Sequence, residues 1–281
     1  MSVLALASVR SCGVTTAALA LAATWPGGPD DSHRVLLAEL DPAGGTLAAA
    51  AGWPPEPGLV SLAAAARRGG DPDLVWGHCQ HLPGGAAVLA GPTSAEQARS
   101  AVGMLAGLVG RLGELDADVL VDCGRLDPGS PGRGLPARAD RVVLAARPRL
   151  ADLHALATWA EAHPLDGANL GLVLVGDGPY PDDEIEGALG IEVLARLPWD
   201  PDGAAALVSV PASARELRVS PLVRAARSLA DRLGEAPAMT PAKQVEGAAP
   251  TASVRTRMLR AWRTKPATPS TNGSTPKEVS K

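Results

Sequence analysis

Lysine is missing from the first 242 residues of this 281-residue chain, and phenylalanine is missing altogether. Six tryptophans and one tyrosine are the only aromatic residues. Proteins that bind single-stranded nucleic acid stack bases on several aromatic side chains, so this composition argues against that function. Three widely spaced cysteines, Cys12, Cys79 and Cys123, form neither a disulfide framework nor a metal-binding motif. We expect three reduced thiols, as in a cytosolic protein.

The net charge of −4 combines an acidic body with a basic tail. Residues 1–235 hold 18 arginines against 28 acidic residues, a net charge of −10. Residues 236–281 hold eight basic and two acidic residues, a net charge of +6. An acidic surface repels the phosphates of nucleic acid, so we expect no nucleic-acid partner for the body. No stretch has about 18 uninterrupted apolar residues, and Arg10 interrupts the N-terminal apolar run, which predicts a cytoplasmic protein without a membrane span or signal peptide.

Short apolar runs alternate with longer alanine-rich stretches along residues 1–235, which predicts alternating strands and helices. The strand-like runs are almost continuously apolar, as is typical of strands that are covered on both faces. We therefore predict one α/β domain over residues 1–235, with a doubly wound, mostly parallel sheet that binds its ligands beyond the carboxyl ends of the strands. The predicted strands are 3–9, 34–40, 86–90, 118–122, 141–145, 170–175 and 193–197, and the predicted helices are 15–24, 59–68, 94–112, 150–162, 182–189 and 221–233.

The composition changes after residue 235 to alanine, proline, threonine, serine and lysine. It predicts a linker and a disordered tail over residues 236–281. One segment, 253–265, differs because a helix would bring Met258, Leu259 and Trp262 to one face among five basic residues. A basic amphipathic helix with a tryptophan anchor suits an anionic membrane surface or an acidic groove. The alternative is a solvated basic stretch of the tail.

Residues 8–16, Ser-Val-Arg-Ser-Cys-Gly-Val-Thr-Thr, join the first predicted strand to the first predicted helix. A tight loop before a helix directs backbone amides at an anion, and a threonine hydroxyl there can reach a magnesium ion. A single glycine is fewer than a glycine-rich loop has, so an ordinary turn capped by threonine is the alternative. Farther along the chain, Glu39 and Asp41 come at the end of one predicted strand, and Asp122 ends another.

These segments resemble, in this order, the MinD/ParA family of P-loop ATPases, including the CpaE/TadZ branch associated with secretion and pilus machines. Two further segments carry the resemblance: Ala139-Asp140 before a strand, and 197–201, Leu-Pro-Trp-Asp-Pro, after the last strand. The likeness covers residues 3–233. It implies the P-loop fold, ATP or ADP with Mg²⁺ as the cofactor, and a homodimer among the partners.

The resemblance also implies roles for single residues. Thr15 and Asp122 correspond to the residues that bind the metal, and Glu39 and Asp41 to the catalytic carboxylates that orient water. The residues that correspond to the nucleotide-binding positions are Arg10, Ser11, Cys12, Gly13, Val14, Thr15, Thr16 and Pro198.

The loop departs from the family's Walker A pattern at the positions that matter most for catalysis. The family has one lysine near the start of the loop, which reaches across a nucleotide-bound dimer, and a second just before the two threonines, which holds the phosphates. Here Arg10 and Val14 stand at those positions, the loop is one residue shorter, and no lysine precedes Lys243. Glu39 replaces an aspartate, and Val175 stands where the family has an asparagine beside the adenine. Phosphoryl transfer depends on positive charge around the γ-phosphate, so we expect weak or absent nucleotide binding and little or no hydrolysis.

The functional prediction is a MinD/ParA-like protein with a degenerate nucleotide site. It would bind protein partners as a positioning or regulatory component of a cell-envelope, septum or secretion assembly. Segment 253–265 would attach it peripherally to the inner face of the membrane. Two alternatives stay open: an active, slow ATPase of the partition type that dimerises with nucleotide, and a structural subunit that binds no nucleotide.

Overall fold

A computed structural model describes residues 2–26, 34–67, 71–109, 111–127, 129, 131–162, 169–209 and 214–235, and the predicted tail with its segment 253–265 lies outside these residues. The described strands are β1 (Val3–Ser8), β2 (Val35–Glu39), β3 (Gln80–His81), β4 (Ala87–Leu89), β5 (Asp118–Arg125), β6 (Arg141–Ala146), β7 (Asn169–Val175) and β8 (Glu192–Leu197). The described α-helices are α1 (Val14–Thr24), α2 (Leu47–Ala51), α3 (Leu59–Ala66), α4 (Ala95–Val109), α5 (Leu150–Ala162), α6 (Asp182–Leu189), α7 (Pro201–Val208), α8 (Ala214–Val219) and α9 (Pro221–Glu235).

The eight strands form one sheet in the order β3-β4-β2-β5-β1-β6-β7-β8. Every neighbouring pair is parallel except β3 with β4. The prediction of an α/β fold with a doubly wound, mostly parallel sheet is therefore confirmed. The sequence pattern did not predict β3, which has only two residues, or the helices α2, α7 and α8.

The side chains of each strand alternate between two apolar layers, one on each face of the sheet. On one face, Leu62, Leu105 and Leu153 represent the layer that α3, α4 and α5 cover. On the other face, Leu21 and Leu229 represent the layer that α1 and α9 cover. Leucine, valine and alanine fill both layers in place of phenylalanine. Because helices cover both faces of the sheet, the strands do not alternate between apolar and polar residues.

Strand β5 is longer than predicted, since it continues through Arg125 rather than ending at Asp122. Its pairing with β1 shifts register between Leu6 and Ser8, opposite this extension. Gly124 has a φ of 60°, a left-handed conformation that glycine adopts without strain. This irregularity lets the strand continue past Asp122 while the side chain of Asp122 stays buried under the neighbouring loop.

Strand β8 lies at one edge of the sheet, and α9 packs against it. The guanidinium of Arg232 on α9 donates a hydrogen bond to the backbone carbonyl of Leu194 in β8. The same guanidinium lies 3.6 Å from the Glu192 carboxylate at the start of the strand. None of the helices in the described ranges is both long enough and apolar enough to cross a membrane.

Candidate functional site

The pairing of the central strands brings the predicted site residues together at the carboxyl ends of these strands. Strand β1 lies between β5 and β6, with Leu6 opposite Asp122 and Ser8 opposite Ala145. Strand β2 lies on the other side of β5, with Glu39 opposite Asp122. The loop between β1 and α1 therefore leaves the sheet beside the carboxyl ends of three other strands, where ligands of such sheets bind.

The loop turns into α1 at Gly13, the N-cap residue, whose φ of 94° lies in the left-handed region. A Cβ at this position would lie 3.9 Å from Cγ1 of Val175, so Gly13 also packs closely beside the end of β7. Of the loop side chains, Arg10 and Ser11 are exposed, and Thr15 and Thr16 at the start of α1 are half-buried. The predicted strand, tight loop and helix are present, with two threonines at the start of the helix.

Cys12 and Val14 point into the protein from this loop. Burial raises the pKa of the Cys12 thiol to about 11, so the thiol is protonated at neutral pH and unreactive. Val14 is 7% exposed and belongs to the apolar layer under α1. The position at which the resemblance implies a phosphate-binding lysine thus presents only methyl groups.

Asp122 is fully buried, with 0% of its surface exposed. Its Oδ1 accepts a hydrogen bond of 2.9 Å from the amide of Gly124, whereas Oδ2 accepts no hydrogen bond of ordinary geometry from any of the described residues. Burial raises the pKa of Asp122 to about 7, and the nearby Thr15 hydroxyl and Gly124 amide offset part of this effect. Buried polar atoms almost always have partners, so an orphaned carboxylate oxygen beside a threonine hydroxyl indicates a position for a ligand.

Asp41 lies beside Asp122 at the end of β2 and is half-buried. Its Oδ1 accepts a hydrogen bond of 2.7 Å from the amide of Ala43, and burial raises the pKa of its carboxyl. A Cβ on Gly124 would collide with the Asp41 carboxylate, so only glycine allows these two segments to approach so closely. Gly124 therefore allows Asp41 to lie against β5, close to Asp122 on the same strand.

Glu39 is 1% exposed, and both of its carboxylate oxygens accept hydrogen bonds. Oε1 accepts from the amide of Thr46 at 2.7 Å and from that of Leu47 at 3.2 Å, and Oε2 accepts from the amide of Gly91 at 2.9 Å. Burial raises the pKa of Glu39, and these amides oppose the rise. The carboxylate thus caps the first amides of α2 and ties β2 to the loop after β4. This environment favours a structural role for Glu39, and its predicted role in orienting water stays a prediction.

A mostly apolar cleft of about 300 Å³ opens beside the loop, between the start of α1 and the ends of β7 and β8. Pro198, the predicted nucleotide contact outside the loop, lines this cleft. Its lining includes Gly13, Thr16, Val175, Trp199 and Leu222.

Two residues of the segment 197–201, to which the sequence assigned no role, support the cleft. Trp199 is 65% exposed at the mouth of the cleft, and the guanidinium carbon of Arg147 lies 5.6 Å from its ring centroid. Asp200 caps α7 through a 2.9 Å bond from the amide of Gly203 and accepts a 2.6 Å bond from the hydroxyl of Ser220. The sequence did contain a signal for this helix, because aspartate followed by proline is a typical helix start.

The oxygen donors of this site are too few to hold a magnesium ion unless a bound ligand supplies further oxygens. Within the described ranges, no three His, Cys, Asp or Glu side chains are grouped so that they could hold a metal. The Thr15 hydroxyl and the free Oδ2 of Asp122 are two oxygen donors at most. Magnesium usually keeps several waters and takes one or two protein ligands plus phosphate oxygens, so this donor set suits Mg²⁺ carried by a nucleotide.

Comparisons with known proteins give a fold but no close relative. No family model matches the sequence, and no curated protein matches it. The fold is that of solved ParA and MinD structures. A ParA-family ATPase from Chlorobium tepidum is 18% identical, with a TM-score of 0.62 over 83% of this chain and 98% of the other.

Two MinD structures are also similar. The septum site-determining protein MinD from Pyrococcus horikoshii, complexed with Mg-ADP, is 16% identical, with a TM-score of 0.59 over 83% of this chain and 96% of the other. A chain of the MinC:MinD cell division complex from Aquifex aeolicus is 16% identical, with a TM-score of 0.56 over 85% of this chain and 98% of the other. At these identities the likeness establishes the fold alone.

The buried carboxyl of Asp122 predicts that stability falls as the pH rises. The pKa of Asp122 is about 7 in the folded chain, and its ordinary value is 3.8. Between these two pH values the folded chain keeps a proton on Asp122 that the unfolded chain releases. The stabilisation is fully present below about pH 4 and is lost by about pH 7. Asp122→Asn should remove this dependence and raise the free energy of unfolding at about pH 8 by about 2 to 4 kcal/mol. Urea denaturation at about pH 5 and about pH 8 measures the free energy of unfolding of both proteins. Asp116→Asn, at an exposed site, is the control, and equal pH slopes for Asp122→Asn and the wild type would contradict the prediction.

The three amide bonds of Glu39 predict a large loss of stability for Glu39→Gln. An amide side chain turns one acceptor into a donor, which leaves at least one of the three buried backbone amides unpaired. We expect the free energy of unfolding to fall by about 2 to 4 kcal/mol in chemical denaturation. Glu96→Gln makes the same chemical change at an exposed position of α4 and should have little effect. A stable Glu39→Gln variant would show that the carboxylate is free for another role.

Proposed function

We propose that this protein is a MinD/ParA-like nucleotide-binding protein with a degenerate site, which binds Mg²⁺ with ADP or ATP weakly and hydrolyses ATP little or not at all. Its function would then be to bind partners and position or regulate them. The single observation that carries the binding part is the orphaned Oδ2 of Asp122 beside the Thr15 hydroxyl. A buried carboxylate without a partner destabilises the fold, and a ligand that satisfies it offsets this cost.

The loop supports the expected loss of hydrolysis. Val14 is buried among apolar side chains where a phosphate-binding cation is expected, and three carboxylates, Glu39, Asp41 and Asp122, lie at the neighbouring strand ends. The γ-phosphate develops negative charge during transfer, and an acidic environment without a fixed cation stabilises it poorly. Removal of one such electrostatic contact typically costs about 10²-fold to 10³-fold in rate.

In this fold, a partner-binding role has a precedent in the MinC:MinD complex. We propose that this chain likewise binds a protein of a cell-envelope, septum or secretion assembly, as a monomer or as a homodimer. The active, slow ATPase is the second candidate, because Asp41, Asp122 and Thr15 are all retained at the site. The third candidate is a structural subunit without nucleotide, which the orphaned oxygen of Asp122 disfavours.

Calorimetric titration of the full-length chain with ADP and with ATP, each with Mg²⁺, separates these functions. We expect both nucleotides to bind, and Asp122→Ala to weaken both by about tenfold, since it removes the buried carboxylate that faces the metal position. Phosphate release from ATP should equal that of the Asp122→Ala variant.

Two outcomes of this experiment would point to the other candidate functions. Phosphate release well above that of Asp122→Ala would identify the slow ATPase and contradict the proposal. No heat of binding with either nucleotide would favour the structural subunit. Asp116→Asn, which changes the same charge away from the site, should bind like the wild type.

The basic tail provides a proposed membrane contact. Segment 253–265 lies outside the described residues, so the proposal rests on its five basic residues and on Trp262. Each basic residue near an anionic surface contributes about 1 kcal/mol, and tryptophan adds interfacial burial. The acidic body, with its net charge of −10, is repelled by the same surface. Any membrane affinity would therefore come from the tail, which would place a cytoplasmic protein at the inner face of the membrane.

Co-sedimentation of the full-length protein with anionic vesicles tests this contact. Replacement of the four tail arginines, Arg255, Arg257, Arg260 and Arg263, by glutamine should abolish binding at low salt, because most of the attraction is electrostatic. Trp262→Ala should reduce it partly. Lys277→Gln with Lys281→Gln changes charges outside the segment and should leave binding nearly unchanged. A wild-type protein that stays in the supernatant at low salt would contradict the membrane proposal.

A further inference from the structure

Arg147 is a cation beside the loop that lacks its lysine. It follows β6 directly, and β6 pairs with β1 so that Ser8 lies opposite Ala145. Arg147 comes one residue after the end of β6 and Arg10 two residues after the end of β1, so both lie at the carboxyl ends of neighbouring parallel strands. The guanidinium of Arg147 is close enough to Cys12 to lower the pKa of that thiol, against the larger effect of burial. Its charge thus acts on the interior of the loop.

Trp199 holds this guanidinium at the mouth of the cleft. The distance from the guanidinium carbon to the ring centroid is 5.6 Å, within the range of a cation–π interaction. Trp199 itself lines the cleft together with Gly13 of the loop. The loop and Trp199 therefore line the same cleft, and Arg147 reaches its mouth through the contact with Trp199.

The charge of Arg147 is not neutralised by a carboxylate in the ranges that the structure describes, unlike that of other half-buried arginines. Arg196 lies 2.5 Å from Asp182, and Arg141 lies 4.0 Å from Glu192. Arg34 also stacks on a tryptophan, Trp76, at 3.7 Å, but it precedes β2 and lies at the opposite edge of the sheet. A neutral aromatic ring orients a guanidinium without cancelling its charge. The Asp152 carboxylate on α5 acts on the Cys12 thiol in the opposite direction, but it forms no ion pair with Arg147 among the described residues, so Arg147 still attracts an anion.

We propose that Arg147 binds the phosphates of the nucleotide in place of the lysine that this loop lacks. The proposal rests on the proposed function, since it assigns a cation to that same site. A guanidinium offers paired donors to phosphate oxygens, and no lysine precedes Lys243 to compete for this role. Arg10 is the other arginine near the loop, but its side chain is exposed and contacts none of the aromatic rings in the described ranges.

Calorimetric titration of full-length variants with Mg-ADP and with adenosine tests this assignment. Arg147→Gln should weaken Mg-ADP by about tenfold or more and leave adenosine within about twofold, because adenosine has no phosphate for the guanidinium to bind. Arg147→Lys should recover part of the lost affinity.

Arg149→Gln is the matched control, since Arg149 is exposed two residues farther along the same loop, and it should bind both ligands like the wild type. Unchanged Mg-ADP affinity in Arg147→Gln would overturn the inference and leave the proposed function intact. Equal losses for Mg-ADP and adenosine would also overturn it, because they would show a damaged cleft, and so would a loss found in Arg10→Gln instead. Failure of the wild type to bind Mg-ADP at all would overturn the proposed function and this inference together.

Discussion

The site depends on the pairing of β1 with β5 on one side and with β6 on the other. Residues far apart in the chain become neighbours only because these parallel strands end at the same edge. The pairing places the Asp122 carboxylate under the loop on one side and directs Arg147 to the loop on the other. Apolar side chains on both faces of the sheet hold this arrangement, since β1 is buried along its whole length.

Electrostatically, the two flanks of the loop between β1 and α1 differ. Acidic side chains dominate one flank, the side of β2 and β5, and burial raises the pKa of Asp122 to about 7. The other flank carries one guanidinium held by an aromatic ring. An anionic ligand with its metal would satisfy both flanks, the metal facing the carboxylates and the phosphates facing the guanidinium. This arrangement, with Val14 and not a cation inside the loop, is the basis of the proposal that the protein binds nucleotide and hydrolyses it little.

Much of the fold was predictable because the strands are continuous apolar runs. The strands β1 and β2 and the helices α5 and α6 have nearly the predicted bounds. The missed helix α2 is a five-residue run whose first amides are capped by Glu39, a contact from another element that local sequence does not reveal. The two-residue β3 exists only through its pairing with β4.

For the site, the strand ends, the start of α1 and the resemblance to a known family together predicted that Asp41, Asp122 and Thr15 lie close to one another. They could not predict that Oδ2 of Asp122 lacks a partner or that three amides occupy Glu39. The contact of Arg147 with Trp199 also depends on the order of β6, β7 and β8 in the sheet, because the two residues lie on loops after different strands. Sequence patterns identify which residues reach the edge of the sheet, whereas tertiary packing decides what each of them contacts there.

The two ends of the sheet limit how copies of this chain can associate. A sheet edge is a template for addition of a further strand from another molecule, and proteins suppress it with short strands and charged side chains. Here β3 offers only two residues at one end, and Arg232 occupies a backbone carbonyl of β8 at the other. Polymerisation by continuation of the sheet is therefore disfavoured at both ends. Copies of this protein would then associate through their helices and loops. The side chains on those surfaces would determine which partners the protein binds.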